Sequence, residues 1–276
     1  MTVAETVRDR LRALHGGVSG RTVKQWLAAG RVRVNGAVVR RGDTPVVKAD
    51  RVELGAPPPP PFPAPLRLVH EDDGLIVVDK PPGLLTIADA GERHRTAYRL
   101  LRDWVEARGG RRIFVVHRLD RETSGLVVFA KSLEVKDALQ QQFQARTPER
   151  IYTALVDGVV RDDEGTLTSR LAEDRSLRVR ATHDVARGRE AITRYRVLER
   201  YADSTLLELK LVTGRRGQIR AQLAALGHPI VGDRAYGSRR DPFKRVCLHA
   251  TRLGFIHPDG RRISFQSRPP AVFRRA

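Results

Sequence analysis

Cys247 is the only cysteine among the 276 residues of the chain. An intramolecular disulfide is therefore impossible, and a thiolate metal cluster is excluded with it. Acidic residues are also in short supply. The chain has 32 Asp+Glu against 51 Lys+Arg, a net charge of +19. Such a field attracts polyanions, and nucleic acid is the commonest large one. An arginine-favouring proteome would give the same charge without any such partner. Long apolar runs are missing too: no stretch approaches the roughly 18 residues of a membrane span. The opening "MTVAETVRDRLRAL" carries charges throughout and lacks the apolar core of a signal peptide. These absences predict a soluble cytoplasmic protein with no membrane association. A Walker loop, a dinucleotide fingerprint and a Gly-x-Ser-x-Gly elbow are all lacking, so nucleotide-energy, redox and serine-nucleophile chemistries have no sequence support.

What is present begins with a 41% hydrophobic fraction, enough for a core. The segment "PPPPPFPAP", Pro57–Pro65, is proline at seven of nine positions and reads as a semi-rigid extended spacer. It divides the chain into a small unit over 1–54, a linker over 55–65 and a body over 66–276. In the small unit, Val3–Leu14 has apolar residues at helical spacing, and Gly16-Gly17 stops it. Ser19 can cap a second helix that runs to Ala29, with Gly30 as its stop. "RVRVNGAVVR" then alternates around Asn35-Gly36, which signals a hairpin. Arg21, Lys24, Arg31 and Arg33 surround one helix and the adjoining strand, where they can meet phosphates or simply form a solvated face.

In the body, Leu75–Val78, Tyr152–Val156 and Leu206–Val212 read as strands. Leu133–Arg146 reads as a helix with Val135, Leu139, Gln142 and Phe143 on one stripe. "TGRRGQIRAQLAALG" reads as a turn into a helix that buries Ile219, Leu223 and Leu226. Strands outnumber helices and cluster, which predicts an α+β fold on a mixed, largely antiparallel sheet with flanking helices. The most charged loop lies between two apolar runs, Ile113–Val116 and Leu126–Ala130: "HRLDRETSG". On residue type alone, Asp120 in that loop can be a nucleophile, a general base, a metal ligand or a turn former. His117 is open between a base and a structural hydrogen-bonding residue. Metal binding has little support, since no second His or carboxylate stands at helical ligand spacing nearby.

Larger patterns narrow this. "GRVRVNG" followed by "DRVEL" makes the first unit similar to the small α/β RNA-binding domain first described in ribosomal protein S-four. "HRLDRETSGLVVFAKS" resembles the signature of the RluA-type pseudouridine synthases, and four further segments match in order: "EDDGLIVVDKPPGLLT", "RIYTALVDG", "LVTGRRGQIRAQLAALGHPIVGDRAYG" and "CLHATRLGFIHP". The resemblance covers about 66–270. It implies that Asp120 is the catalytic carboxylate and that Tyr152 stacks on the target base. It also implies that Arg220 pairs with Asp120, that Ile219 and Leu248 form apolar walls, and that Arg118 holds RNA and fills the place of the extruded base. The implied reaction isomerises uridine in RNA and needs no cofactor. Ribosomal RNA of the large subunit is the expected substrate, transfer RNA the runner-up, and a monomer the expected state. Two positions depart from the family pattern: Gly217 and Gln222 stand where histidines are usual, and these favour a lapsed enzyme acting as an RNA-binding or ribosome-assembly factor. Retention of Asp120, Tyr152 and Arg220 argues for activity. A glycosidase that releases the base is a third reading.

Overall fold

The computed structural model describes residues 5–57, 59–89, 91–110, 112–174 and 178–274. The chain divides into two compact units, Met1–Pro61 and Phe62–Ala276, so the division falls inside the proline-rich segment. Among the described residues no helix is long and apolar enough to cross a membrane.

In the smaller unit, helix α1 (Val7–Leu14) is closed by a capping box between Thr6 and Asp9, and α2 (Gly20–Ala28) is capped by the Ser19 side chain. The first residues of the expected first helix, up to Ala4, lie outside the described residues. Strands β1 (Val32–Val34) and β2 (Ala37–Val38) form the expected hairpin, with positive φ at both Asn35 and Gly36, and β3 (Val52–Leu54) pairs with β1 on its other side. Val7, Leu11, Val23, Leu27 and Val32 pack between the helices and this sheet.

The larger unit has the expected α+β fold. Its elements are β4 (Arg67–Glu71), β5 (Leu75–Lys80), α3 (Ala97–Ala107), β6 (Phe114–Val115), β7 (Ser124–Ala130), α4 (Leu133–Gln144), β8 (Glu149–Asp157), β9 (Glu164–Glu173), β10 (Val179–Thr182), β11 (Arg189–Arg200), β12 (Ser204–Leu211), α5 (Gln218–Ala225), β13 (Leu248–Ile256) and β14 (Arg262–Gln266). Strands run in the order β10-β9-β11-β12-β8-β13-β7-β5-β4, with β14 on β13 and β6 on β7. A single parallel bridge joins Leu85 to Thr96 outside these strands, and among the pairings of the strands themselves β13–β7 is the one that is parallel. It is short: His249 faces Ser124 and Ala250 faces Gly125, after which β13 continues along β14. Gly125 has φ +113, and a Cβ there would lie 2.3 Å from the Ala250 carbonyl oxygen, so only glycine lets the two strands meet.

β5, β7 and β8 are buried almost end to end, as expected for strands covered on both faces. One expectation fails at α5. Ile219 and Leu223 are buried, but Leu226 is 42% exposed because the helix ends at Ala225 and Leu226 is its C-cap.

Candidate active site

The loop between β6 and β7 is held from both sides of Asp120. Thr86 Oγ1 donates to the Leu119 carbonyl at 2.9 Å and accepts from the Leu119 N–H at 3.1 Å. On the other side, the Gly83 N–H donates to the Arg121 carbonyl at 2.8 Å, and Lys80 Nζ donates to the same oxygen at 3.2 Å. Lys80 is fully buried and also donates to the Pro81 and Leu84 carbonyls. The Lys-Pro-Pro-Gly turn is thus the brace of the Asp120 loop. Asp120 itself is half-buried, and among the described residues no side chain donates a hydrogen bond to its carboxylate.

Asp120, Tyr152, Ile219, Arg220, Leu248 and Arg118 all line one cavity of about 600 Å³. They come from the β6–β7 loop, β8, α5 and the start of β13, so the fold gathers segments separated by more than a hundred positions in sequence. Tyr152 is 8% exposed, and Ile219 and Leu248 are 4% and 3% exposed. Burial pushes the Tyr152 phenol up to about 12, Arg150 works against the shift, and Asp120 adds to it. Tyr152 therefore stays a neutral phenol at physiological pH. Arg118 is exposed.

Arg220 does not form the expected ion pair with Asp120. Its fork engages Asp233, with Nε to Oδ2 at 2.6 Å and Nη2 to Oδ1 at 2.8 Å. Both carboxylate oxygens match one edge of the planar guanidinium. Asp120 acts on Arg220 at longer range, raising its pKa together with the nearer Asp233 against the effect of burial. The Tyr236 ring lies 4.7 Å from the Arg220 guanidinium carbon. Sequence reasoning assigned nothing to Asp233 or Tyr236, although both stand in the "GDRAYG" motif.

His117 is structural. Its ring stacks on Phe143 at 4.6 Å, and its Nε2 accepts from the Val128 N–H at 3.2 Å. Burial, with Arg150 adding to it, pushes its pKa down to about 3, which keeps it neutral and leaves Nε2 free to accept.

The two departures from the histidine pattern both have structural roles. Gly217 takes a left-handed conformation, φ 60° and ψ 13°, as the N-cap of α5. Gln222 is 3% exposed, accepts from Thr193 Oγ1 at 2.6 Å, and donates to the carbonyls of Leu167 and Ala191 at 3.0 and 2.9 Å. Gln218 extends this network by accepting from Thr213 Oγ1 and the Arg215 N–H at 2.8 and 3.0 Å. The loop 213–217 and the helix bearing Arg220 are therefore fixed to β9 and β11 by filled hydrogen bonds.

In the smaller unit Arg21, Lys24 and Arg33 are exposed and Arg31 is half-buried. Arg31 Nε donates to the Gly55 carbonyl at 2.9 Å, and Arg33 Nη1 donates to the Gly36 carbonyl at 2.8 Å. These two cations are partly used in holding their own fold.

Residues 74–225 match the family model described as RNA pseudouridylate synthase. The chain is 35% identical to an uncharacterized RNA pseudouridine synthase of Aquifex aeolicus, across 91% of this chain and 86% of that protein. It is 36% identical to the ribosomal large subunit pseudouridine synthase D of Pseudomonas aeruginosa, across 90% of this chain and 83% of the relative. Among solved structures, human RNA pseudouridylate synthase domain containing 4 shares the fold. Its TM-score is 0.63 and its identity 22%, covering 75% of this chain and 90% of that one.

Proposed function

The chain belongs to the RNA pseudouridylate synthase family and is an RNA pseudouridine synthase, and we propose that it acts on large-subunit ribosomal RNA with Asp120 as its catalytic carboxylate. One observation carries the assignment of Asp120. Asp120 lines the same cavity as Tyr152, Ile219, Arg220 and Leu248, and among the described residues no side chain donates to its carboxylate. A cavity of about 600 Å³ is of a size to take a nucleotide.

The target uridine leaves its stack at a cost of roughly a few kcal/mol and enters this cavity. Tyr152 stacks on the base as a neutral phenol, while Ile219 and Leu248 supply dry walls. Asp120 acts on the ribose, either by attack or by taking a proton, as the bond from the sugar to the ring nitrogen breaks. The base turns and rejoins the sugar through a ring carbon. No atom is lost and no electron is exchanged, so the balance calls for no co-reactant. Arg220, held by Asp233, keeps a guanidinium at the wall of the cavity that Asp120 also lines. Arg118 occupies the place of the extruded base and holds phosphate. Arg21, Lys24, Arg31 and Arg33 of the S-four type unit add affinity that weakens as salt rises. The ribosomal substrate is supported by the name of the Pseudomonas relative and by the attached basic unit.

The test is total RNA from cells lacking the protein, incubated with it and mapped by carbodiimide-dependent primer-extension stops. New stops in large-subunit RNA with the wild type and none with Asp120→Asn are expected. Stops confined to transfer RNA overturn the substrate, and undiminished stops with Asp120→Asn overturn the carboxylate. Binding without stops, or release of free uracil, overturns the synthase reading.

A further inference from the structure

The cavity holds more positive charge than the proposed chemistry uses. Six arginines line it, against one carboxylate, Asp120. Arg220 has Asp233 and Arg216 has Glu173 as ion-pair partners. Arg150 has none: among the described residues no carboxylate lies in ion-pair reach of its guanidinium, although the residue is 8% exposed. Its Nε is buried without a hydrogen-bond partner, and its one side-chain bond among the described residues, Nη2 to the Val212 carbonyl, is 3.5 Å long. A buried guanidinium in this condition is costly, because the lost hydration is not replaced.

The surroundings preserve this state. A Cβ on Gly214 would lie 2.3 Å from Arg150 Nη1, so the bare backbone of the Thr-Gly-Arg turn leaves room for the fork. The guanidinium carbon stands 5.7 Å from the centre of the Phe143 ring, which supports the group without satisfying its donors. A second cation acts on it. Arg146, exposed and in a left-handed conformation with φ 60°, borders the same cavity and works against the protonated state of Arg150. Two neighbouring cations without an anion form half of a site, and a planar fork suits a phosphate in two-point fashion. Arg150 also lies two residues before Tyr152 on β8, which puts both side chains on one face of the strand.

We propose that Arg150, with Arg146 beside it, receives a backbone phosphate of the RNA adjoining the target nucleotide. The assignment rests on the reading of the cavity as the uridine site, and it adds a binding determinant distinct from Asp120, Tyr152 and Arg220. The ligand class is the phosphodiester. By placing it next to Tyr152, the site couples the position of the backbone to the position of the base.

The test measures the affinity of an in vitro transcript of large-subunit ribosomal RNA as a function of salt, for the wild type, Arg150→Gln, Arg150→Lys and Arg146→Gln. Losing one phosphate-neutralising cation lowers the slope of log affinity against log salt by about 0.7 to 0.9. Arg150→Gln and Arg146→Gln are each expected to show that loss, with KM for modification raised several-fold. Arg150→Lys is expected to keep the wild-type slope. A packing role for Arg150 would lower stability and leave the slope unchanged, and that result overturns the proposal. If Arg150→Gln fails to fold, the slope of Arg146→Gln decides it, an unchanged slope overturning the proposal. Pseudouridine formation by the wild type on the transcript is scored separately. Its absence overturns the functional reading itself, whereas product with an unchanged slope in the two glutamine variants overturns only the phosphate site.

Discussion

Arg220 on α5 grips both oxygens of Asp233, at 2.6 and 2.8 Å, and the Asp233 side chain is 1% exposed. The pair fixes the guanidinium over the Tyr236 ring and beside the cavity that holds Asp120. Removing one partner of a buried pair strands the other charge, at a cost of about 3–5 kcal/mol. Asp233→Ala is therefore expected to lower the free energy of unfolding by about that amount. It is also expected to slow pseudouridine formation at temperatures where the variant remains folded. Urea unfolding followed by a rate measurement checks both. A variant within about 1 kcal/mol of the wild type would show that the pair is not a structural anchor.

Lys80 makes a second prediction about the Asp120 loop. Its buried ammonium satisfies three carbonyls, and one of them belongs to Arg121, the residue after Asp120. Lys80→Met keeps much of the volume and leaves those oxygens without that donor, at about 1–3 kcal/mol for each one that water cannot reach. An overall loss of about 2–4 kcal/mol is expected, since the loop can relax. The fall in rate should exceed what the unfolded fraction explains, because the brace on one side of Asp120 is gone. Circular dichroism melting paired with single-turnover rates separates the two effects, and a rate that simply tracks the folded fraction would refute the brace.

His249 sits in a buried chain of hydrogen bonds. Arg245 Nη2 donates to Ser124 Oγ at 2.7 Å, and Ser124 is bonded to His249 Nδ1 at 2.8 Å. His249 Nε2 meets Ser267 Oγ at 3.0 Å, and Ser267 donates to Asp79. A carboxylate can only accept, so Ser267 gives its proton to Asp79 and takes one from His249, which places a proton on Nε2. Burial pushes the His249 pKa down to about 4, with Asp79 opposing the shift. Between the unfolded value of about 6.5 and about 4, the unfolded chain binds more protons than the folded one, so stability falls as pH drops through that window. His117, pushed down to about 3, adds to the same slope. Urea unfolding at about pH 7, about pH 5.5 and about pH 4.5 should show a shallower fall for His249→Gln than for the wild type. Parallel pH curves for the two proteins would count against a neutral His249.

Much of this architecture was legible in the residues. Asn35-Gly36 marks a hairpin because both positions need positive φ. Ser19 marks a helix start because its hydroxyl can satisfy an orphan N–H. The convergence of Asp120, Tyr152, Ile219, Arg220 and Leu248 on one cavity came from motif resemblance, since no local periodicity relates segments so far apart. What stayed hidden was partner choice. Nothing in the pattern around Arg220 says that Asp233, thirteen residues on, takes its fork. Leu226 has the spacing of a buried residue but misses the core, because helix length is set by where the chain must turn.

Gly217 supplies the last prediction, at one of the two positions that depart from the family's histidines. Its φ is +60°, and a Cβ there would lie 2.8 Å from Tyr236 Oη. Two penalties therefore fall on any larger residue: roughly 1–2 kcal/mol for the left-handed backbone, and a collision with the hydroxyl. Tyr236 is not free to yield, since its ring lies against the Arg220 guanidinium. Gly217→Ala is expected to cost about 2–4 kcal/mol, from backbone strain and overpacking together. Tyr236→Phe removes the colliding oxygen while keeping the ring, so the double variant should be less destabilised than the sum of the single ones by about 1 kcal/mol or more. Gly217→His, the residue usual in the family, should reduce activity here instead of restoring it, by driving Tyr236 from beneath Arg220. Denaturant unfolding of the three variants in a double-mutant cycle measures the coupling. If the penalties simply add, the glycine answers to its backbone conformation alone and the Tyr236 hydroxyl has no part in requiring it.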